Sequence, residues 1–300
     1  MIAITGATGN TGSVAAKALL AKGEKVRAIG HHQHKLQSLV ALGAEAFVGK
    51  VDDAASMTSA FKNADAVYLM IPPSMEAENY RAYQNQIGDA YAAAIKAAGV
   101  KYVVTLSSLG AQHAQGTGPI VGLHDLEQKL NAISGLNVLH LRPGSFMQNL
   151  LRTIDPLRSM GALPGAAPPD KSEPQIAARD IGAYAAKRLA ARNFSGSSVQ
   201  ELLGPRDYTM REAAAFIGKA IGQPNLGYMQ VPLPMLEQAL VQSGFKKGLA
   251  ALMIELFKAE NGGLCDPEQP RTAESTTPTT MEAFVAEEFL PAYRGQSATA

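Results

Sequence analysis

The chain has one cysteine, Cys265, and no tryptophan in 300 residues. A lone thiol excludes an internal disulfide framework and any zinc site built on several cysteines. An excess of charge of either sign is also missing: 27 basic against 26 acidic side chains leave a formal net charge of +1. No broad field therefore draws the chain to nucleic acid or anionic lipid. With no basic run, zinc-finger spacing or basic zipper, direct nucleic-acid binding is not expected. No apolar run approaches the length that spans a bilayer. The first residues, Ile2-Ala3-Ile4-Thr5, read as a core strand rather than a secretion leader, so a soluble cytoplasmic protein is expected. The last absence is chemical: none of the nine tyrosines is followed four positions later by lysine.

What is present is globular composition, 46% hydrophobic and 18% charged, enough for one large core. Short β-branched runs at Ile2–Thr5, Lys25–Ile29, Glu45–Val48, Ala66–Ile71, Tyr102–Ser107 and Val138–Arg142 read as strands. Amphipathic stretches at Ser13–Lys22, Ala54–Phe61, Glu78–Ala98 and Leu123–Ile133 read as the helices between them. This rhythm predicts an α/β, doubly wound parallel sheet of Rossmann type, with ligands beyond the carboxyl ends of its strands. The pattern then changes. Residues 154–175 carry five prolines and read as a long irregular loop. Asp180 is placed as the cap of a helix, residues 199–203 as a strand, and Thr209 with Glu212 as a capping box for a helix reaching Ala220. Further helices are expected over Pro234–Ser243, Leu249–Asn261 and Met281–Phe289, with Met229, Met235 and Met253 as core. The expected organisation is a nucleotide-binding unit over 1–152 completed by 176–204. Residues 153–175 and 205–300 would form a small, mainly helical C-terminal lobe and tail on the substrate side.

The stretch "MIAITGATGNTGS" sets Gly6, Gly9 and Gly12 between a strand and a helix. Gly6 permits a sharp turn, Gly9 puts no Cβ in the way of a diphosphate, and Gly12 lets the helix pack on the strand. Thr8, Asn10 and Thr11 can add hydrogen bonds to the helix dipole. The residues after the second strand decide the ribose contact: an acid there suits NAD, a base suits NADP. Here "VRAIGHHQHKL" offers His31, His32 and Lys35, with Arg27 inside the strand and no acid. NADP(H) is therefore preferred, with NAD(H) left open. Asp52, after the third strand, suits the adenine amino group. Three clustered histidines without a carboxylate or thiol beside them do not make a metal site, and none is expected.

The opening Gly-Ala-Thr-Gly-Asn-Thr-Gly resembles that of the NmrA-like, atypical short-chain dehydrogenases. So do "AVYLMIPP", "YVVTLSS", "LHDLEQKL", "LNVLHLRPGSFMQNLL", "IAARDIGAYAAKRLA" and "TMREAAAFIGKAIG". The family includes NADPH-dependent quinone oxidoreductases, triphenylmethane-dye reductases and non-catalytic NADP(H)-sensing regulators. The resemblance implies that Gly6, Thr8, Gly9, Asn10, Thr11 and Gly12 hold the pyrophosphate. It places His31 where relatives often carry a phosphate-binding arginine, although Gly30-His31 departs from their usual Val-Arg. It sets Pro72 and Ser107 on the nicotinamide side and Pro143-Gly144-Ser145-Phe146 as a pocket wall.

Ordinary short-chain dehydrogenases use a tyrosine acid assisted by lysine; His124 and Gln128 hold those places here. Two roles for His124 stay open: proton donor, since an imidazole titrates near neutrality, or a ring bonded only to cofactor or backbone. Ser107 is the other catalytic candidate. His113, Gln148 and Asn149 lie near the same edge, His140 reads as core, and Cys265 as inert. A conjugated acceptor such as a quinone needs mainly a hydride and good orientation. The expected activity is thus an NAD(P)H-dependent reductase of a quinone-like small molecule. The alternatives are a nucleotide sensor acting through a partner protein and, ranked last, an isomerase. A homodimer is left open.

Overall fold

The β-branched runs of the first half pair side by side, and the central ones, such as Ile2–Ile4 and Ala66–Leu69, are buried throughout and so are covered on both faces. The computed structural model describes residues 1–296; residues 297–300, the end of the tail assigned above to the lobe, lie outside the described residues. The strands, in chain order, are β1 (Ile2–Ile4), β2 (Val26–Gly30), β3 (Glu45–Val48), β4 (Ala66–Leu69), β5 (Tyr102–Leu106), β6 (Asn137–Pro143), β7 (Ser145–Phe146), β8 (Leu163–Gly165), β9 (Glu173–Ile176), β10 (Ser197–Leu202), β11 (Asp207–Tyr208) and β12 (Tyr228–Gln230). Seven of them form one parallel sheet in the order β10-β6-β5-β4-β1-β2-β3. The order reverses between β1 and β4, which opens a crevice at their carboxyl ends.

The helices are α1 (Gly12–Ala21), α2 (Gln37–Ala41), α3 (Ala54–Phe61), α4 (Tyr80–Ala98), α5 (Val121–Asn131), α6 (Ile154–Met160), α7 (Ala178–Ala191), α8 (Met210–Ile221), α9 (Leu233–Gln242), α10 (Lys247–Asn261), α11 (Met281–Phe284) and α12 (Leu290–Tyr293), with a π-helical segment joining the last two. Ile4, Leu19, Tyr68 and Ile181 belong to the core on one sheet face, and Phe61, Val67, Tyr91 and Val103 to the core on the other. A third core, with Tyr208, Ile217, Phe284 and Phe289, holds the C-terminal lobe together. No helix among the described residues is long and apolar enough to cross a membrane.

Three expectations are corrected. The proline-rich stretch 154–175 is built rather than irregular: it holds α6, β8 and the start of β9, and β8 and β9 pair with β12, β7 and β11 in two small sheets. Its prolines sit where a missing N–H costs little, Pro156 in the first turn of α6 and Pro164 and Pro174 in short outlying strands. Asp180 does not cap α7, whose N-cap is Ala177; its buried carboxylate accepts from the N–H and hydroxyl of Thr279 at 2.9 and 2.7 Å. Met229 and Met235 are exposed, not core. The capping box of Thr209 and Glu212 forms as expected and starts α8.

Candidate active site at the carboxyl edge of the sheet

Gly6 ends β1 at φ +60°, and the chain turns so that Gly9 N–H donates to the Gly6 carbonyl at 2.9 Å. A Cβ on Gly12 would stand 2.3 Å from that carbonyl oxygen, and one on Gly6 would stand 2.6 Å from Met70 Sδ. The turn thus demands glycine at both places. The N–H groups of Thr8, Asn10, Thr11 and Gly12 have no acceptor among the described residues, and the first turn of α1 carries no acidic side chain. Thr8, Gly9 and Asn10 are exposed. Free donors, a positive helix end and no Cβ in the approach fit a diphosphate. Thr11 is buried, its hydroxyl accepts from Tyr68 Oη at 2.9 Å, and its main-chain N–H is free to donate. The loop after β4 is braced by two tyrosines, Tyr91 donating to Met70 O and Tyr83 to Pro72 O, each at 2.9 Å.

Beyond β2, His31, His32, His34 and Lys35 are all exposed, the rings of His32 and His34 stacking at 5.5 Å. Arg27 is not with them. Its guanidinium is buried against Glu45 and the carbonyls of Ala60 and Lys62, so it is no phosphate ligand. Asp52 stays exposed after β3, while its neighbour Asp53 caps α3 by accepting from Ala55 N–H.

A cavity of about 300 Å³ opens at the same strand ends, at the lower end of the usual size range for ligand sites. Met70, Ile71, Ser107 and Pro143 line it from the sheet, Tyr80 from α4, Leu256 and Glu260 from α10, and Phe146, Asn149 and Glu173 from the lobe side. Two residues expected here are elsewhere. Pro72 is not part of the lining, its place being taken by Met70 and Ile71. His124 does not line the cavity either; its Nδ1–H donates to the Ala111 carbonyl at 2.8 Å. Of the other edge residues, Gln148 ties the tail to α7 through Glu288 and Ala178 N–H, whereas Asn149 stays on the cavity wall.

Ser107 donates to Glu127 Oε1 at 2.5 Å, and Glu127 is gripped by Arg142 through Nε at 3.1 Å and Nη2 at 2.7 Å. Glu127 is 2% exposed, and Arg142 reaches on to the half-exposed Glu268 at 2.9 Å. This buried pair stands directly behind the cavity and fixes the Ser107 hydroxyl. The sequence held one hint of it, a charged residue inside the apolar strand "LHLRP".

His140, beside it in β6, is core as expected. Its Nδ1 accepts from the Thr105 hydroxyl at 2.8 Å and its Nε2–H donates to Asn131 Oδ1 at 2.9 Å. Burial, with Arg142 nearby, holds the imidazole down at about 4 against the opposing pull of Glu127. An unfolded histidine titrates near ~6.5, so between those values the unfolded chain binds more protons than the native one. Stability therefore falls as pH drops through that window, by about 3 kcal/mol at its lower end. Chemical denaturation at pH 7 and pH 4 should show this extra loss in the wild type and not in His140→Gln, and parallel losses would refute it.

The wall also holds acids that no motif announced. Glu173 and Glu260 face the cavity with Cys265, Lys171 and Asp266. Lys171 pairs with Asp266 at 3.4 Å. Burial pushes the Cys265 thiol up to about 12, aided by Glu260 and Asp266, which keeps it an inert thiol.

Comparison with known proteins places this geometry. The model of the NmrA-like family matches residues 1–285. Quinone oxidoreductase 2 of Escherichia coli is 30% identical over 289 residues, covering 94% of this chain and 96% of that protein. An NAD(P)H azoreductase of Xenophilus azovorans is 28% identical over 259 residues, 86% of each chain. The crystal structure of an Escherichia coli NADPH-dependent quinone oxidoreductase complexed with NADPH superposes with a TM-score of 0.79 at 26% identity, covering 96% of this chain and 100% of that one.

Proposed function

The chain belongs to the NmrA-like family, and on that premise we propose that it is an NADPH-dependent reductase passing hydride directly to a quinone-like or other conjugated acceptor. The observation that carries this reading is the meeting, at one edge of the sheet, of an anion cradle with open N–H groups and a cavity of about 300 Å³. Relatives named for quinone and azo reduction support it.

When bound, the reduced nicotinamide supplies the hydride. Residues Gly6 to Gly12 hold the diphosphate against main chain. Met70, Ile71, Ser107 and Pro143 set the depth at which a planar ring can lie, and Tyr80, Phe146 and Leu256 exclude water over it. Ser107, its hydroxyl proton committed to Glu127, orients a partner by accepting a hydrogen bond. Orientation of this kind is the main requirement when the acceptor is an electron-poor conjugated system.

NADPH oxidation on adding a panel of quinones and azo compounds tests the reading; no turnover with any of them would sink it. The ribose end has its own test. His31→Asp sets an acid where the 2′-phosphate is to sit, and should weaken NADPH relative to NADH by about tenfold or more. Fluorescence titration of both nucleotides reads the ratio, and an unchanged ratio would remove His31 from the site.

A further inference from the structure

Of the three carboxylates that line the cavity, Glu173 and Glu260 differ from Asp266 and from the other acids around them. Asp266 pairs with Lys171, Asp170 with Arg211, and Glu127 with Arg142. Neither Glu173 nor Glu260 has a hydrogen bond or an ion pair from its carboxylate among the described residues, yet both line the cavity with Ser107 and Pro143. Glu260 sits on the last turn of α10, which is moored where the next residue, Asn261, donates to the Ala166 carbonyl at 3.1 Å. The strap that begins there runs on to Lys171 and Glu173 and is held again by Tyr228 Oη on Ala167 O at 2.7 Å. An independent feature of the same wall is Gln84, which is 4% exposed and whose Oε1 finds no donor among the described residues. The lining therefore keeps polar groups at hand that the protein itself does not use.

We propose that Glu260 donates the proton that a neutral acceptor needs as it is reduced, in place of the tyrosine acid this chain lacks. This rests on the reductase reading. The acceptor gains the hydride electron pair at one atom, the Glu260 O–H bond breaks, and a new O–H or N–H bond forms at the conjugated oxygen or nitrogen. The carboxylate left behind regains a proton from water. Glu260 is suited to this because burial, then the repulsion of Glu173, pushes its carboxyl up to about 8 against the pull of Lys171. It thus carries its proton at neutral pH, as a general acid must. The other titratable groups facing it are Cys265 and Asp266 from the loop after α10 and Tyr80 from α4.

Two kinds of acceptor separate the roles. A para-quinone or neutral azo dye needs a proton with its hydride, whereas a cationic triarylmethane dye is neutralised by hydride alone. Glu260→Gln should lower kcat on the neutral acceptor by roughly tenfold or more relative to its effect on kcat for the cationic dye. Wild-type turnover of the neutral acceptor should fall as pH rises past about 8, and the variant should lose that limb. Infrared titration of the nucleotide-free protein gives a readout independent of turnover: a protonated carboxyl band at pH 7 that Glu260→Gln removes. Should that variant fold poorly, Glu173→Gln serves instead, since losing the repelling charge should move the alkaline limb to lower pH. Normal neutral-acceptor kinetics with an unmoved limb, or no such band, overturns the proton-donor assignment and leaves the reductase standing. Failure of every acceptor in the wild type removes both.

Discussion

Gly12→Ala is expected to weaken nucleotide binding severely while leaving most of the chain folded. Its Cβ would stand 2.3 Å from the Gly6 carbonyl oxygen, 2.8 Å from the Gly6 carbonyl carbon and 3.2 Å from Ala7 Cα. All three are main-chain atoms, so no rotamer change relieves the clash. The head of α1 cannot simply back away either, because α7 crosses it so closely that a Cβ on Gly182 would lie 2.5 Å from Thr11 O. The turn has to open, and the N–H groups of Asn10, Thr11 and Gly12 then no longer converge on one anion. Losing that convergence should weaken NADPH by about a hundredfold or more, roughly 2.7 kcal/mol. Calorimetric titration of folded Gly12→Ala decides it, and wild-type affinity would dismiss the cradle.

The largest stability effect is expected from Glu127→Ala. Removing one member of a buried ion pair leaves the other charge without compensation, at a cost of about 3–5 kcal/mol. Glu268 remains to Arg142 at 2.9 Å, which favours the lower half of that range. Against a total stability of about 5–15 kcal/mol, the melting temperature should fall on the order of 10 °C. The double variant Glu127→Leu with Arg142→Met should recover much of the loss, since it removes both charges and keeps the volume. A single variant within about 1 kcal/mol of wild type would show that water already reaches the pair. Ser107 gives a second readout, because its hydroxyl loses the acceptor that holds it at the cavity wall.

Legibility in the sequence followed the range of the interactions. The strands of the main sheet and the glycine turn could be read because their signals are local: β-branched runs, a strand before Gly6, a helix after Gly12. Residues 154–175 misled because proline content reports a missing N–H and not whether that N–H is needed. Arg27 misled for a related reason: "VRAIG" places it in the strand that leads to the ribose site but says nothing of the face it takes, and it turns to Glu45 and the end of α3. Pairings such as Ser107 with Glu127, or Glu173 beside Glu260, leave no spacing to detect, since each joins elements that only the tertiary fold brings together.

The clasp of Thr279 on Asp180 bears on how the molecule is made. Asp180 and Gly182 lie in the same turn of α7, and Gly182 backs the head of α1. The first dozen residues therefore wait for a helix made much later, which is itself fastened by residues near the end of the chain. During synthesis, which runs at about 5–20 residues per second, an emerging amino-terminal half carries the whole phosphate turn but not its buttress. The proposed phosphate turn thus has its buttress far along the chain, in Gly182 of α7 and in Asp180 held by Thr279.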